Sequence, residues 1–209
     1  MTGTKTNAGN FFEDFRFGQV IKHATPKTVT VGDVALYTSL YGSRFAVQSS
    51  DVFAKALGYP RAPLDDMLVF HVVFGKTTPE ISLNAIANLG YADCRFLKPV
   101  YPGDTLTSVS EVIGLKENSN KETGTVYVRS TGRNQSGDVV LQYCRWVMVR
   151  KRDKTSPAPD RLCQIASILP ISAPPCPRSM CRVMMWISLV PRISGQIIRL
   201  AKRSTTSMA

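Results

Sequence analysis

Residues 65–77, Asp-Asp-Met-Leu-Val-Phe-His-Val-Val-Phe-Gly-Lys-Thr, decide the fold. Between Met67 and Gly75 every residue except His71 is apolar or small, so a helix here has no polar stripe to turn toward water and is expected to be buried nearly all round. Asp65 or Asp66 can cap the free backbone N–H groups at its start and complement the positive end of its dipole. Lys76 suits its last turn, and Pro79 predicts a stop just beyond. A helix of this kind must be wrapped. Long strand-like segments follow it, so the expected fold is α+β, with a curved antiparallel sheet around a central helix.

Downstream, residues 85–96, 105–115, 125–134 and 138–149 read as strands. The last three are rich in Val, Thr, Tyr and Trp with partial alternation. Asn118-Ser-Asn and Gln135-Ser-Gly137 supply hairpin turns. Upstream, residues 11–23 form an aromatic-anchored turn after a polar lead-in of residues 1–10. Residues 27–31 have strand composition, Gly32-Asp33 is expected to cap a helix over 34–41, and a second short helix fits 51–57, closed by Gly58. Ser156-Pro-Ala-Pro-Asp160 reads as an extended linker. The expected organisation is a domain over 11–155, a linker over 156–162 and a separate tail over 163–209.

The formal net charge of +11 invites a nucleic-acid reading, but its distribution argues against one. All 15 acids precede residue 163. Residues 1–162 carry 20 Lys and Arg against them, while residues 163–209 carry 6 basic residues and no acid. The tail also holds three of the five Cys, four of the seven Met and five of the 13 Pro, which is an abrupt compositional break. No recognition motif for nucleic acid is present. The start of the chain has no apolar signal core, and the longest apolar run, 183–190, is too short to span a bilayer, so neither membrane nor nucleic acid is an expected partner and the expected location is the cytoplasm. Cys94 and Cys144, isolated in strand-like runs, read as buried free thiols, and Cys176 and Cys181 lack the close pairing of a zinc site.

The most specific stretch is Arg95-Phe-Leu-Lys-Pro-Val-Tyr-Pro-Gly-Asp-Thr-Leu106. Pro99, Pro102 and Gly103 have a plain structural role there, ending one strand and turning the chain into the next. With the buried helix before it, the chain resembles the MaoC-like hot-dog acyl-CoA hydratases. Residues 11–23, 37–45, 68–76, 82–90 and 143–152 resemble in particular the amino-terminal half of a duplicated, double hot-dog member. The resemblance spans about residues 8–160. It implies a hot-dog fold, an acyl-CoA substrate, and reversible addition of water across the double bond of an acyl-CoA thioester. It implies no cofactor beyond the CoA carried by the substrate. In such enzymes an Asp and a His move the proton of water, while N–H groups at the start of the central helix polarise the thioester oxygen.

The family pattern Gly-Asp-x-Asn-Pro-x-His is broken in this chain. The matching positions, Gly42-Ser-Arg-Phe-Ala-Val-Gln48, put Ser43 at the acid's place and Gln48 at the histidine's. Neither side chain transfers a proton near neutral pH. Asp66 stands where the family has a glycine, and a carboxylate there repels a developing oxyanion. The resemblance therefore implies a half that lacks the dyad and shapes the acyl and CoA pocket, with a second half missing or replaced by a homodimer partner. Tyr41, Arg44, Asp65 and Asp66 are the candidate substrate-binding residues, Arg44 being equally suited to a surface ion pair. A thioesterase or a non-catalytic acyl-CoA-binding module is the alternative, with Asp65 or Asp66 as the only carboxylates placed to serve.

The tail is expected to be a shifted reading frame. Read one base earlier, the codons of Gly195, Ile197, Ile198, Ala201, Lys202, Ser204 and Thr206 can spell residues matching Phe12, Asp14, Phe15, Gly18, Gln19, Ile21 and His23, a second copy of the chain's own beginning. A genuine basic extension is the competing reading. Of the two histidines, His71 is expected to be buried and hydrogen-bonded in the helix, and His23 to lie at a surface or turn. Arg150, Lys151, Arg152 and Lys154 form a basic cluster that suits either the phosphates of CoA or a solvated strand end.

Overall fold

The computed structural model describes residues 8–157 and 159. The tail, most of the linker and the shifted-frame reading attached to them lie outside the described residues. In chain order the elements are β1 (Val20–Lys22), β2 (Lys27–Thr28), α1 (Val31–Tyr41), α2 (Ala46–Ser49), α3 (Asp51–Ala56), α4 (Asp66–Thr77), β3 (Ala85–Phe96), β4 (Thr105–Glu117), β5 (Thr123–Arg133) and β6 (Val139–Arg150). The sheet is antiparallel, ordered β1-β4-β5-β6-β3, with β2 also paired to β4. It curves around α4, which is the hot-dog arrangement.

Asp65 caps α4, its carboxylate accepting from the Met67 N–H at 2.8 Å. Leu68, Val69, Phe70 and Val73 face the sheet and pack with Leu106, Val140, Leu141 and Tyr143. Each such side chain contributes about 2 kcal/mol by leaving water. Gly132 on β5 permits the approach, since a Cβ there would come within 2.7 Å of Val73. The burial is one-sided, however. His71 and Gly75 are exposed, because the sheet covers one face of the helix and only α1, through Tyr37 and Tyr41, lies against the opposite one. Pro79 does not stop the coil either. The chain continues through a π-helical turn, Thr78–Ser82, where proline falls in the first turn and its missing N–H costs no bond.

The four long strands lie where the composition places them, within two residues at each end. The shorter elements differ more. β1 lies inside the segment read as a turn, α2 is an unpredicted single turn, and β2 is only two residues long. The cap of α1 is Thr30 rather than Gly32-Asp33. Thr30 Oγ1 accepts from the Asp33 N–H at 3.2 Å while the Asp33 carboxylate accepts from the Thr30 N–H at 2.8 Å, a reciprocal capping box.

The turn at 99–104 fixes the start of α4. Gly103 takes φ +99°, a conformation that costs other residues strain. Its N–H donates to Val29 O at 2.7 Å, Val29 N–H donates to Asp104 O at 2.9 Å, and Leu64 N–H donates to Val100 O at 2.7 Å. The segments before α1 and before α4 are thereby stitched to one loop. At the far end of the sheet Phe12 and Phe15 pack with Ile81, Val112, Val126, Val128 and Val147 in a second core.

Candidate functional site

The first turn of α4 brings two of the candidate carboxylates together. Asp65 is spent as the cap, so its charge already lies against the helix N–H groups. Asp66 follows, half-buried. Burial first, and then the Asp65 charge, push its carboxyl up to about 6, with the Gln48 side chain opposing that shift. Gln48 stands on α2 and Asp66 on α4, so the two side chains come together from separate helices. Cys94 of β3 closes the same corner. Burial, the Asp66 charge and the Asp93 charge push its thiol up to about 11, which keeps it unreactive at neutral pH. Ser43 is near the end of α1, its Oγ buried without a hydrogen-bond partner among the described residues.

Against the exposed face of α4 lies a second group that the sequence did not assemble. Tyr37 and Tyr41 stand one turn apart on α1 with ring centroids 4.5 Å apart. The His71 ring is 5.9 Å from the first and 6.2 Å from the second, with Tyr37 Oη and His71 Nδ1 3.5 Å apart. Burial, the Asp65 charge and the Tyr41 hydroxyl raise the Tyr37 pKa, so the phenol faces the capped helix start. The i, i+4 spacing of the tyrosines was a legible signal that they share a face. Arg44 is exposed on the loop between α1 and α2.

The histidine assignments are reversed in the structure. His71 is exposed and His23 is buried, with Nδ1 2.8 Å from Glu80 Oε2 and Nε2 2.8 Å from Ser110 Oγ. Ser110 Oγ in turn lies 2.7 Å from Ser130 Oγ. Burial holds the His23 pKa below its ordinary value, with Glu80 opposing and Arg145 reinforcing that shift. The reason for the reversal is the π-turn, which carries Glu80 back over β1, a contact that no local pattern encodes.

Three of the four basic residues at the end of β6 are paired internally. Lys151 Nζ binds Glu117 at 2.9 Å, Arg152 binds Asp14 at 2.6 Å and lies over the Phe11 ring, and Lys154 binds Glu122 at 2.6 Å. These three pairs tie the strand end to Asp14 near the beginning of the domain and to Glu117 and Glu122 around the β4–β5 turn. Among the described residues no cluster of His, Cys, Asp and Glu could hold a metal ion. None of their helices is long and apolar enough to cross a membrane.

Chemically, the corner around Asp66 can accept a hydrogen bond and exclude an anion. An oxyanion site needs unspent donors aimed at the developing charge. Here two carboxylates occupy the helix start.

The MaoC like domain model matches residues 13–134. The chain is 65% identical over 170 residues to the beta-methylmalyl-CoA dehydratase of Chloroflexus aurantiacus, covering 81% of this chain and 47% of that protein. It is 63% identical over 155 residues to the mesaconyl-CoA hydratase of Cereibacter sphaeroides, covering 74% of this chain and 45% of that one. The chain thus spans about half the length of the curated relatives it matches. A Mycobacterium tuberculosis protein described as having a double hotdog fold superposes with a TM-score of 0.69 at 29% identity, covering 81% of this chain and 52% of that one.

Proposed function

The chain belongs to the MaoC-like domain family, and from that membership we propose that it is the non-catalytic hot-dog half of an acyl-CoA hydratase adding water reversibly to mesaconyl-CoA to give β-methylmalyl-CoA. The observation that carries the reading is the 65% and 63% identity to relatives named for those two directions of one reaction. The two carboxylates at the start of α4, Asp65 and Asp66, support the non-catalytic part, since they stand where an oxyanion would sit. In this reading CoA enters only as part of the substrate. The half contributes pocket surface, with Tyr37, Tyr41 and His71 facing the acyl-CoA, and a second hot-dog covers the exposed Leu36, Leu40 and Ile86.

Mesaconyl-CoA offered to the chain alone is expected to bind without being hydrated above the uncatalysed rate, measured by calorimetry and by loss of the enoyl-thioester absorbance. Turnover by the chain alone would overturn the non-catalytic assignment, and absence of binding would overturn the acyl-CoA assignment. A thioesterase is the second reading, favoured by the raised Asp66 carboxyl beside the helix start. Release of free CoA that disappears in Asp66→Asn would establish it in place of the first.

A further inference from the structure

Arg145 of β6 is 1% exposed and has no carboxylate against it among the described residues. Its Nη2 donates to Thr77 Oγ1 at 2.8 Å, and its guanidinium lies over the Phe74 ring at 4.6 Å. Nε and Nη1 make no hydrogen bond among the described residues. The nearby acid Glu80 is engaged with His23. Two residues earlier, on the same face of the strand, Tyr143 is wholly buried and its Oη has no partner within bonding distance, although the hydroxyls of Ser130 and Thr77 are close by.

Buried polar groups in folded proteins are hydrogen-bonded, and a buried charge left unpaired costs several kcal/mol. Nε–H and Nη1–H point to opposite sides of the guanidinium, so a carboxylate's fork pairs one of them with the second N–H of Nη2, and the Tyr143 phenol on the same strand face supplies a further hydroxyl. An aromatic wall connects this spot to the exposed histidine. His71 adjoins Phe70 at 6.0 Å, Phe70 adjoins Phe74 at 5.7 Å and Tyr143 at 5.1 Å, and Arg145 stacks on Phe74.

We propose that Arg145 and Tyr143 form a buried carboxylate-binding subsite beneath the C-terminal half of α4. The carboxylate is either the far end of an acyl group or a free small aliphatic acid. That it arrives on an acyl-CoA rests on the function proposed above, whereas the subsite itself does not.

Binding of succinyl-CoA, butyryl-CoA and free succinate to the full 209-residue chain, by calorimetry and thermal shift, tests the proposal. The expected result is that succinyl-CoA binds about tenfold more tightly than butyryl-CoA, the yield of one charge-assisted hydrogen-bond set. That preference should shrink in Tyr143→Phe and vanish in Arg145→Met. If Arg145→Met does not fold, Tyr143→Phe, which keeps the ring, decides. Stabilisation by free succinate without binding of either ester keeps the subsite and overturns the acyl-CoA function. Equal affinity for the two esters with no effect of succinate does the reverse. A preference unchanged in both variants, or binding of no probe at all, overturns the subsite.

Discussion

The two ends of α4 solve the same problem, a charged group near the core, in opposite ways. At the N-terminal end Asp65 and Asp66 place like charges side by side, relieved by a backbone cap and the Gln48 amide. At the C-terminal end His23, Glu80, Ser110 and Ser130 form a continuous chain of complementary partners, with Arg145 set beneath the helix on Thr77 and Phe74. The first end carries unfavourable electrostatics where the family's chemistry would be. The second end holds the terminal segment, the π-turn and the sheet together. Like charges persist at the open end, whereas the closed end pairs its histidine on both ring nitrogens and leaves the Arg145 Nε and Nη1 donors unspent.

The largest effect is expected from breaking the satisfied end. His23→Ala leaves Glu80 and Ser110 without their buried partner and should destabilise the chain by about 3 kcal/mol in urea unfolding. The wild-type pH profile carries a second signature. His23 titrates below its unfolded value, so its contribution is fully present above about pH 6.5 and lost as pH falls through the lower folded value. That slope should vanish in the variant. A wild-type slope retained by His23→Ala would mean that another group titrates there.

A smaller effect of opposite sign is expected at the open end. Asp66 holds its proton up to about 6, well above the unfolded value, so the folded state binds more protons between about pH 4 and 6 and stability falls as pH rises through that window. Asp66→Asn should therefore stabilise the chain at pH 7 by about 2 kcal/mol at most, discounted for the solvent that still reaches the group. The gain should be absent at pH 4, which a pair of thermal melts can check. The smallest effect sharpens the contrast between the histidines. His71→Ala, on the exposed face, should change stability by no more than about 0.5 kcal/mol. A larger loss would show that the face is covered in solution.

Much of this was legible along the chain. The apolar run at 67–75 and the Asp65 cap gave the central helix because both are local signals, one of periodicity and one of hydrogen bonding. The four long strands followed from β-branched and aromatic composition between clear turns. Ser43 and Gln48 were visible as departures from a short motif. Their surroundings were not, since Gln48 and Asp66 come together from two separate helices.

What the sequence alone determined, then, is the central helix with a cap at its start, the four long strands and the turn at Gly103, all properties of residues within a few positions of each other. Only the tertiary structure decided which histidine is buried, that Pro79 extends a π-turn, that the basic strand end is paired to Asp14, Glu117 and Glu122, and that Arg145 and Tyr143 share one buried face. Burial and ion pairing depend on what the curved sheet brings across from distant positions, and a polar residue in an apolar run carries no mark of which side will be covered.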